Sequence, residues 1–232
     1  MPLVLVPTPL GNLRDVTLRA LDVLERAELI VAEDTRVARR LLHALEIGAK
    51  RVVSYREQNA AVVTRRILSH AETELVAVVT DAGMPSVSDP GSALVAAARA
   101  AGVAVDVLPG PSAALGAAVL AGFPLHRFAF EGFPPRKSGA RRRAFDEALQ
   151  REVTSVWFES PHRIRASLHD LVAVAPDARV FLVREYTKRY EQQLSGDPAE
   201  VAKALDDPVR GEITFVIAPL EKRVRRSAEK GP

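Results

Sequence analysis

Residues 3–12 read LVLVPTPLGN, a short apolar run that breaks directly into a loop of proline and glycine. The same pattern returns at 74–91, ELVAVVTDAGMPSVSDPG, and at 103–113, VAVDVLPGPSA. Continuous apolar runs of this length are typical of strands buried on both faces of a parallel sheet. Ligands of such sheets gather where the carboxyl ends of the strands pass into loops. Three small-residue loops after three strands therefore predict a ligand site at one edge of a sheet.

Helical-period segments separate these apolar runs, and the alternation continues to about residue 217. It predicts an α/β protein with mostly parallel sheets. The pattern restarts with a new turn near residue 120, so we place a domain boundary there. The predicted domains are 1–120 and 121–220, both α/β. The charged end, 221–232, is expected to be a disordered tail.

Composition narrows the class of protein. Of 232 residues, 47% are hydrophobic and 26% charged, the balance of an ordinary globular chain rather than a disordered or membrane one. No apolar run approaches the roughly 18 to 20 residues that span a bilayer, and the start lacks a signal-peptide n-region, so we expect a cytoplasmic protein without a membrane partner. Cysteine is absent and the five histidines form no HExxH motif, so no metal site is expected.

The common nucleotide-binding fingerprints are missing. The sequence has no GxGxxG after the first strand and no GxxxxGK[ST]. In the second loop, Asp89 and Pro90 are explained as the cap and first position of the next helix. Asp81, Ala82 and Gly83 are not explained in this way. We interpret them as part of the ligand site.

Polar clusters at further strand ends extend this edge: EDTR at 33–36, SYREQN at 54–59 and ESPHR at 159–163. Helix capping by Asp34 or Thr35, and by Ser160, explains only some of these residues. The segment PPRKSGARRR, 134–143, concentrates basic side chains in a chain of formal charge +3. It is consistent with a solvated helix face or with phosphate contacts to RNA.

Taken in order, the blocks PTPLGNL, AEDTR, SYREQN, TDAGMPSVSDPG, PGPSA, FEGFPPRKSGARR, ESPHR, REYTK and RGE resemble the ribosomal RNA small subunit methyltransferase I family, a branch of the tetrapyrrole methylase superfamily. The resemblance covers about residues 3–219. It implies a two-domain tetrapyrrole methylase-like fold with S-adenosyl-L-methionine in the interdomain cleft. It also implies 2′-O-methylation of a cytidine in 16S rRNA at the decoding centre, and a homodimer. Met84 and Gln58 depart from the family pattern, which commonly has Thr and His there.

The resemblance also implies site residues. Cofactor contacts are expected at Pro9, Gly11, Asp81, Ala82, Gly83, Ser86, Ser112, Ala113, Glu159 and Ala218. Methylation of a ribose hydroxyl needs a general base, for which the candidates are Asp34, Glu57, Glu185 and Lys188, with a carboxylate, Asp34 or Glu57, preferred. RNA contacts are expected from Arg36, Arg136, Lys137, Arg141, Arg142 and Arg163.

Two alternatives remain open. One is a methyltransferase of the same superfamily that acts on a tetrapyrrole or another small molecule. The other is a noncatalytic RNA-binding protein that has kept the fold. For the main hypothesis, the sequence leaves open whether the partner is naked 16S rRNA or the small ribosomal subunit.

Overall fold

The computed structural model describes residues 2–56, 58–89 and 91–220, and its contacts divide the chain into two units. The first unit comprises the chain up to Gly116 together with Glu185–Glu191, and the second comprises 117–184 and the chain from residue 192. The predicted boundary near residue 120 assigned 185–191 to the second domain, whereas the contacts assign this segment to the first unit. The predicted disordered tail, 221–232, lies outside the described residues.

The sheet of the first unit has five strands: β1 (Leu3–Val6), β2 (Leu29–Ala32), β3 (Arg51–Ser54), β4 (Val76–Val79) and β5 (Val105–Val107). Their order is β3-β2-β4-β1-β5 and every pairing is parallel. The helices are α1 (Leu18–Arg26), α2 (Thr35–Ala44), α3 (Ala60–Ala71), α4 (Ser92–Ala100) and α5 (Ala113–Ala121). The α/β class predicted from the sequence is confirmed.

The three inner strands are apolar at every position because both faces of the sheet are covered. Successive residues of β1, such as Val4 and Leu5, belong to different hydrophobic clusters. One cluster includes Leu24 of α1 and Leu42 of α2, and the other includes residues of α3 and α4. The two-sided core covers both faces of the sheet. Because every pairing is parallel, the carboxyl ends of all five strands lie at the same edge.

The second unit contains β6 (Phe128–Gly132), α6 (Ser138–Gln150), β7 (Thr154–Glu159), α7 (Ile164–Val174), β8 (Val180–Arg184), β9 (Gln192–Gly196), α8 (Pro198–Ala204) and β10 (Ile213–Ile217). The strand order is β6-β7-β10-β8-β9. Only β6 and β7 pair in parallel, and the other three pairings are antiparallel. The prediction of a mostly parallel sheet is therefore wrong for this unit.

One face of this second sheet packs against α6, α7 and α8. Trp157 and Phe215 stack with their rings 6.2 Å apart, and Phe145 of α6 packs edge-on against both. All three side chains are buried. In the part of the chain that the structure describes, no helix is both long and apolar enough to cross a membrane.

Candidate functional site

The first and second small-residue loops are joined at the edge of the first sheet by a backbone bridge. Thr8 N–H donates to Gly83 O (2.9 Å), and Gly83 N–H donates to Thr8 O (3.0 Å). The Thr8 hydroxyl adds a bond to the carbonyl of Thr80 (3.2 Å). Gly83 has φ +82°, and an added Cβ would lie 3.0 Å from Leu10 Cδ2. Both backbone groups of Gly83 are thus used within the protein, so its role is to hold the two loops together.

A cavity of about 350 Å³ lies where β1 and β5 end. Its lining includes Leu10 of the first loop, Gly110–Ser112 of the third loop, and two residues of the 185–191 segment, Tyr186 and Thr187. The volume is within the range of small-molecule sites. The Thr187 hydroxyl is buried and has no hydrogen-bond partner among the described residues, while the carboxylate residue Asp15 also lines the cavity. The cavity thus has apolar lining from Leu10 and polar lining from Asp15 and Ser112.

The segment 185–191 packs directly against the loop that follows β1 and against α5. A Cβ on Gly11 would lie 2.2 Å from Lys188 Cγ, and one on Gly116 would lie 2.5 Å from Tyr186 Cε1. Glycine at these two positions is therefore required by close approach of side chains. Lys188 Nζ donates to Glu185 Oε1 at 2.9 Å. The structure thus brings two of the four predicted base candidates to the PTPLGN loop.

Carboxylates cluster on the other side of the same edge, where β2 and β4 end. Asp34 N–H donates to Asp81 Oδ1 at 3.3 Å, and the Thr80 hydroxyl donates to Asp89 Oδ2 at 2.5 Å. Asp89 thus bonds to Thr80, and the N-cap position of α4 is Gly91 rather than Asp89; Pro90 lies outside the described residues. Asp81, predicted to contact the cofactor, accepts a hydrogen bond from Asp34, the second residue after β2. Asp81 is not among the residues that line the cavity at the ends of β1 and β5.

Asp34 is held by arginines. Its carboxylate accepts from Arg36 Nε (3.1 Å), Arg36 Nη2 (2.6 Å) and the Arg36 backbone N–H (2.8 Å), and Arg56 Nη2 lies 3.7 Å away. These contacts hold the pKa of Asp34 far below its usual range, chiefly through the side-chain bonds from Arg36. Such a carboxylate caps α2 and is a weak proton acceptor. Held in this way as the cap of α2, Asp34 is poorly placed to turn toward a substrate, and its assignment as the base stays a prediction.

Two neighbouring carboxyl groups have a raised pKa, the opposite of the shift at Asp34. Burial raises the pKa of Glu33, and the negative charges of Asp89 and Asp81 raise it further. Burial also raises the pKa of Asp81, although the hydrogen bond from Asp34 N–H acts in the opposite direction. Glu57, the other preferred base, lies outside the described residues and stays a prediction.

The remaining first-unit candidates are placed as follows. The Ser112 hydroxyl accepts from Leu115 N–H (3.4 Å) at the start of α5, where Ala113 is the first residue. Pro9 is half-buried in the first loop. Ser86 Oγ is buried without a partner in the described part of the chain, and it packs against Gly91, where an added Cβ would lie 2.3 Å away. Of these residues, only Ser112 is among those lining the cavity at the ends of β1 and β5.

In the second unit, the basic segment is organised by a buried ion pair. The structure begins α6 at Ser138, and it buries Arg141 against Asp170 of α7. Arg141 Nε and Nη2 contact Asp170 Oδ2 at 2.8 and 2.5 Å, and Nη1 donates to the carbonyls of Pro135 and Arg136. The expectation that Arg141 contacts RNA is therefore not supported by its position, because its guanidinium is enclosed.

Arg163 and Glu159 are likewise bonded within the unit. Arg163 Nη2 donates to the carbonyls of Pro134 (2.5 Å) and Pro135 (3.3 Å), and it lies 3.2 Å from Glu159 Oε2. The Glu159 carboxylate also accepts from Ser160 N–H and the Ser167 hydroxyl. With all these contacts, the buried Glu159 side chain anchors the start of α7, and a cofactor contact at Glu159 stays a prediction.

The other predicted basic residues are exposed. Arg136 and Lys137 lie in the loop before α6, and Arg142 is half-exposed while bonded to Asp170. Arg36 is 82% exposed despite its bonds to Asp34. Their exposure leaves these four side chains accessible, and their contacts with RNA stay a prediction. Ala218 directly follows β10, where its N–H donates to Arg179 O.

Sequence reasoning missed Asp15, Tyr186 and Thr187 as cavity residues. Tyr186 and Thr187 belong to REYTK, a block carried by the resemblance, but no local pattern shows that this block returns to the first unit. Among the residues the structure describes, no group of three or more His, Cys, Asp or Glu side chains could hold a metal ion.

Comparison with known proteins identifies the class. The family model for tetrapyrrole (corrin/porphyrin) methylases matches residues 2–202. A crystal structure of diphthine synthase superposes with a TM-score of 0.74 at 18% identity, over 94% of this chain and 90% of that chain. At that identity the superposition shows the fold alone. Fold and family model together define a methylase of the tetrapyrrole methylase class.

Closer relatives carry the name ribosomal RNA small subunit methyltransferase I. The protein from Micromonospora olivasterospora is 46% identical over 93% of this chain and 70% of its own length. That from Thermotoga maritima is 41% identical over 94% of this chain and 99% of its own. The chain belongs to the ribosomal RNA small subunit methyltransferase I family, which confirms the resemblance seen in the sequence.

Proposed function

We propose that this protein uses S-adenosyl-L-methionine to methylate the ribose 2′-hydroxyl of a cytidine in 16S rRNA, at the decoding centre of the small ribosomal subunit. Membership of a methyltransferase family whose relatives are named for small-subunit rRNA supports the reaction class and the substrate. The cytidine, the 2′ position and the decoding centre come from the family resemblance of the sequence blocks. A cytoplasmic homodimer is part of the same proposal.

The observation that carries the cofactor assignment is the cavity at the ends of β1 and β5. It combines apolar walls from Leu10 and Pro111 with polar groups from Asp15, Ser112 and Thr187. The Asp15 carboxylate and the Ser112 hydroxyl suit a ligand that carries cationic and hydroxyl groups. When bound, S-adenosyl-L-methionine supplies an electrophilic methyl group on a sulfonium.

For the proton transfer we favour Glu185. Its carboxylate lies in the segment that packs on the PTPLGN loop, 2.9 Å from the Lys188 ammonium. In this role Glu185 accepts the proton of the ribose hydroxyl, and Lys188 holds the Glu185 carboxylate in position. The remaining work of the protein is to hold the hydroxyl in line with the methyl group.

Single-turnover transfer of labelled methyl tests the reaction. We expect label in 16S rRNA, supplied naked or in purified small subunits, and nuclease mapping should place it on a cytidine 2′-oxygen. Glu185→Gln should slow transfer by roughly 10²- to 10⁴-fold, the usual contribution of a general base. The matched variant Asp34→Asn should retain most of the rate. Equal rates for Glu185→Gln and wild type would remove Glu185 from this role.

The two alternatives give different results in the same experiments. A small-molecule methylase would label a tetrapyrrole precursor supplied in parallel and leave RNA unlabelled. A noncatalytic RNA-binding protein would release no heat on titration with S-adenosyl-L-methionine. Sedimentation at micromolar concentration tests the dimer, and cell fractionation tests the location.

A further inference from the structure

Phe133 is an exposed aromatic side chain held in place beside the basic segment of the second unit. It is 54% exposed, although phenylalanine is ordinarily buried. Its ring packs edge-on against Phe158, with centroids 5.7 Å apart, and Phe158 packs in the same manner against Phe130 at 4.9 Å. The three rings form an aromatic ladder whose last member faces solvent.

The backbone is arranged to present this ring. The pairing of β6 with β7 shifts register between Phe130 and Gly132, so Glu131 is an extra residue in the strand. Gly132 then has φ +69°, a conformation that favours glycine. Bulges of this kind redirect the side chains that follow them. The exposure of Phe133 is thus a product of a specific local geometry.

The loop after Phe133 is fixed from inside. The carbonyls of residues 134, 135 and 136 accept hydrogen bonds from two guanidinium groups, those of Arg141 and Arg163. Arg141 in turn is paired with the buried Asp170. A loop held in this way loses little conformational entropy when it binds a partner.

Several exposed basic residues lie close to Phe133 in the sequence. Arg136 and Lys137 follow Phe133 by three and four residues, and Arg142 and Arg143 lie on the first turns of α6. An exposed aromatic ring beside several cations is complementary to a single nucleic-acid strand, whose bases stack and whose phosphates are anionic. A protein partner would be matched by the ring but not specifically by this positive charge.

We propose that Phe133 is a stacking platform for one unpaired base of the RNA substrate, with Arg136 and Lys137 contacting the adjoining phosphates. The inference rests on the proposed function, because it needs an RNA substrate. It adds a base contact to a segment for which the sequence suggested only phosphate contacts.

The test is a binding cycle between the side chain and the base. Fluorescein-labelled single-stranded 16S rRNA fragments, and copies with one abasic nucleotide at each position in turn, are titrated with wild type and with Phe133→Ala. Loss of stacking should weaken binding of the intact RNA by roughly 5- to 100-fold. For the copy lacking the stacked base, wild type and Phe133→Ala should bind alike.

Salt dependence separates the ring from the cations. Phe133→Ala should lower affinity without changing the slope of log affinity against log salt, whereas Arg136→Ala should reduce that slope by roughly 1. Phe133→Trp should restore binding. Phe128→Ala is the matched control, since Phe128 is a 40% exposed ring at the start of the same strand, and it should bind as wild type does.

The outcomes distinguish this inference from the proposed function. If wild type methylates RNA while Phe133→Ala binds every RNA with unchanged affinity, the stacking platform is wrong and the proposed function stands. If Phe133→Ala loses activity only on assembled subunits and binds naked RNA normally, the ring contacts a ribosomal protein and the inference is again wrong. If wild type neither binds nor methylates RNA, the proposed function fails first.

Discussion

Removing the carboxylate of Asp170 should destabilise the second unit strongly. Asp170 is 3% exposed and accepts hydrogen bonds at 2.8 Å from the Ser138 hydroxyl, Arg141 Nε and Arg142 Nε. In Asp170→Ala the Arg141 guanidinium stays enclosed without its counter-charge. Breaking one side of a buried ion pair costs about 3–5 kcal/mol. Loss of the ion pair with Arg142 adds little to this free-energy cost, because the Arg142 side chain is 46% exposed.

The chain provides its own probe of this unit. Trp157 is the only tryptophan in the sequence, and it lies in the core that α6 and α7 cover. Urea titration followed by Trp157 fluorescence should therefore show a midpoint shift equivalent to about 3–5 kcal/mol with an unchanged m-value. Heating should show a melting temperature lower by roughly 10 °C.

Two variants decide whether the buried pair is the cause. Asp146→Ala removes an exposed carboxylate from α6, the helix that carries Arg141, and should change stability by less than about 0.5 kcal/mol. The double variant Arg141→Met, Asp170→Leu removes both charges and should recover most of the loss. A loss below about 1 kcal/mol in Asp170→Ala, or a double variant no better than the single one, would refute the argument.

Three further predictions concern the first unit and pH. Gly11→Ala should push the Lys188 side chain aside and lower kcat by roughly 100-fold, because the new Cβ would lie 2.2 Å from Lys188 Cγ. Gly48→Ala is the control: its Cβ would meet nothing within 4 Å, so the variant should have wild-type activity in the same assay. Gly83→Ala should cost about 1–2 kcal/mol in urea unfolding, since residue 83 has φ +82°; an unchanged midpoint would contradict this. The raised pKa of Glu33 predicts stability that is complete below the ordinary carboxyl pKa and falls as pH rises through the raised value, so Glu33→Gln should flatten the urea midpoint over that range. The lowered pKa of Asp170 predicts the opposite pH dependence. The contribution of Asp170 to the free energy of unfolding is complete above the ordinary carboxyl pKa and is lost on acidification, so Asp170→Ala should flatten the dependence of the urea midpoint on pH at acidic pH.

The sequence predicted the elements whose pattern is local. The inner strands of the first sheet are continuous apolar runs, and they lie at β1, β2 and β4 as expected. The strand β9, by contrast, reads QQLSG and was not predicted, because an edge strand with alternating exposure has no apolar run. The antiparallel order of the second sheet was also missed, since strand direction depends on which distant segments pair.

For the candidate site, the sequence located the strand ends but not the partners of each side chain. Asp34 and Arg36 are two residues apart in the sequence, and in the folded protein two hydrogen bonds join their side chains, which the sequence does not predict. Arg141 and Arg142 are adjacent in the sequence, and one is buried while the other is half-exposed. Helix phase and the position of Asp170, 29 residues away from Arg141, decide this difference.

The return of Glu185–Glu191 to the first unit makes that unit discontinuous along the chain. During synthesis from the amino terminus, residues up to Gly116 emerge well before the segment that packs on Gly11 and Gly116. The cavity near β1 therefore cannot be complete in a nascent chain until residue 191 has left the ribosome. A fragment ending near residue 120 should consequently lack part of the cavity wall, and adding a 185–191 peptide in trans should be a weak substitute because the covalent tether is lost.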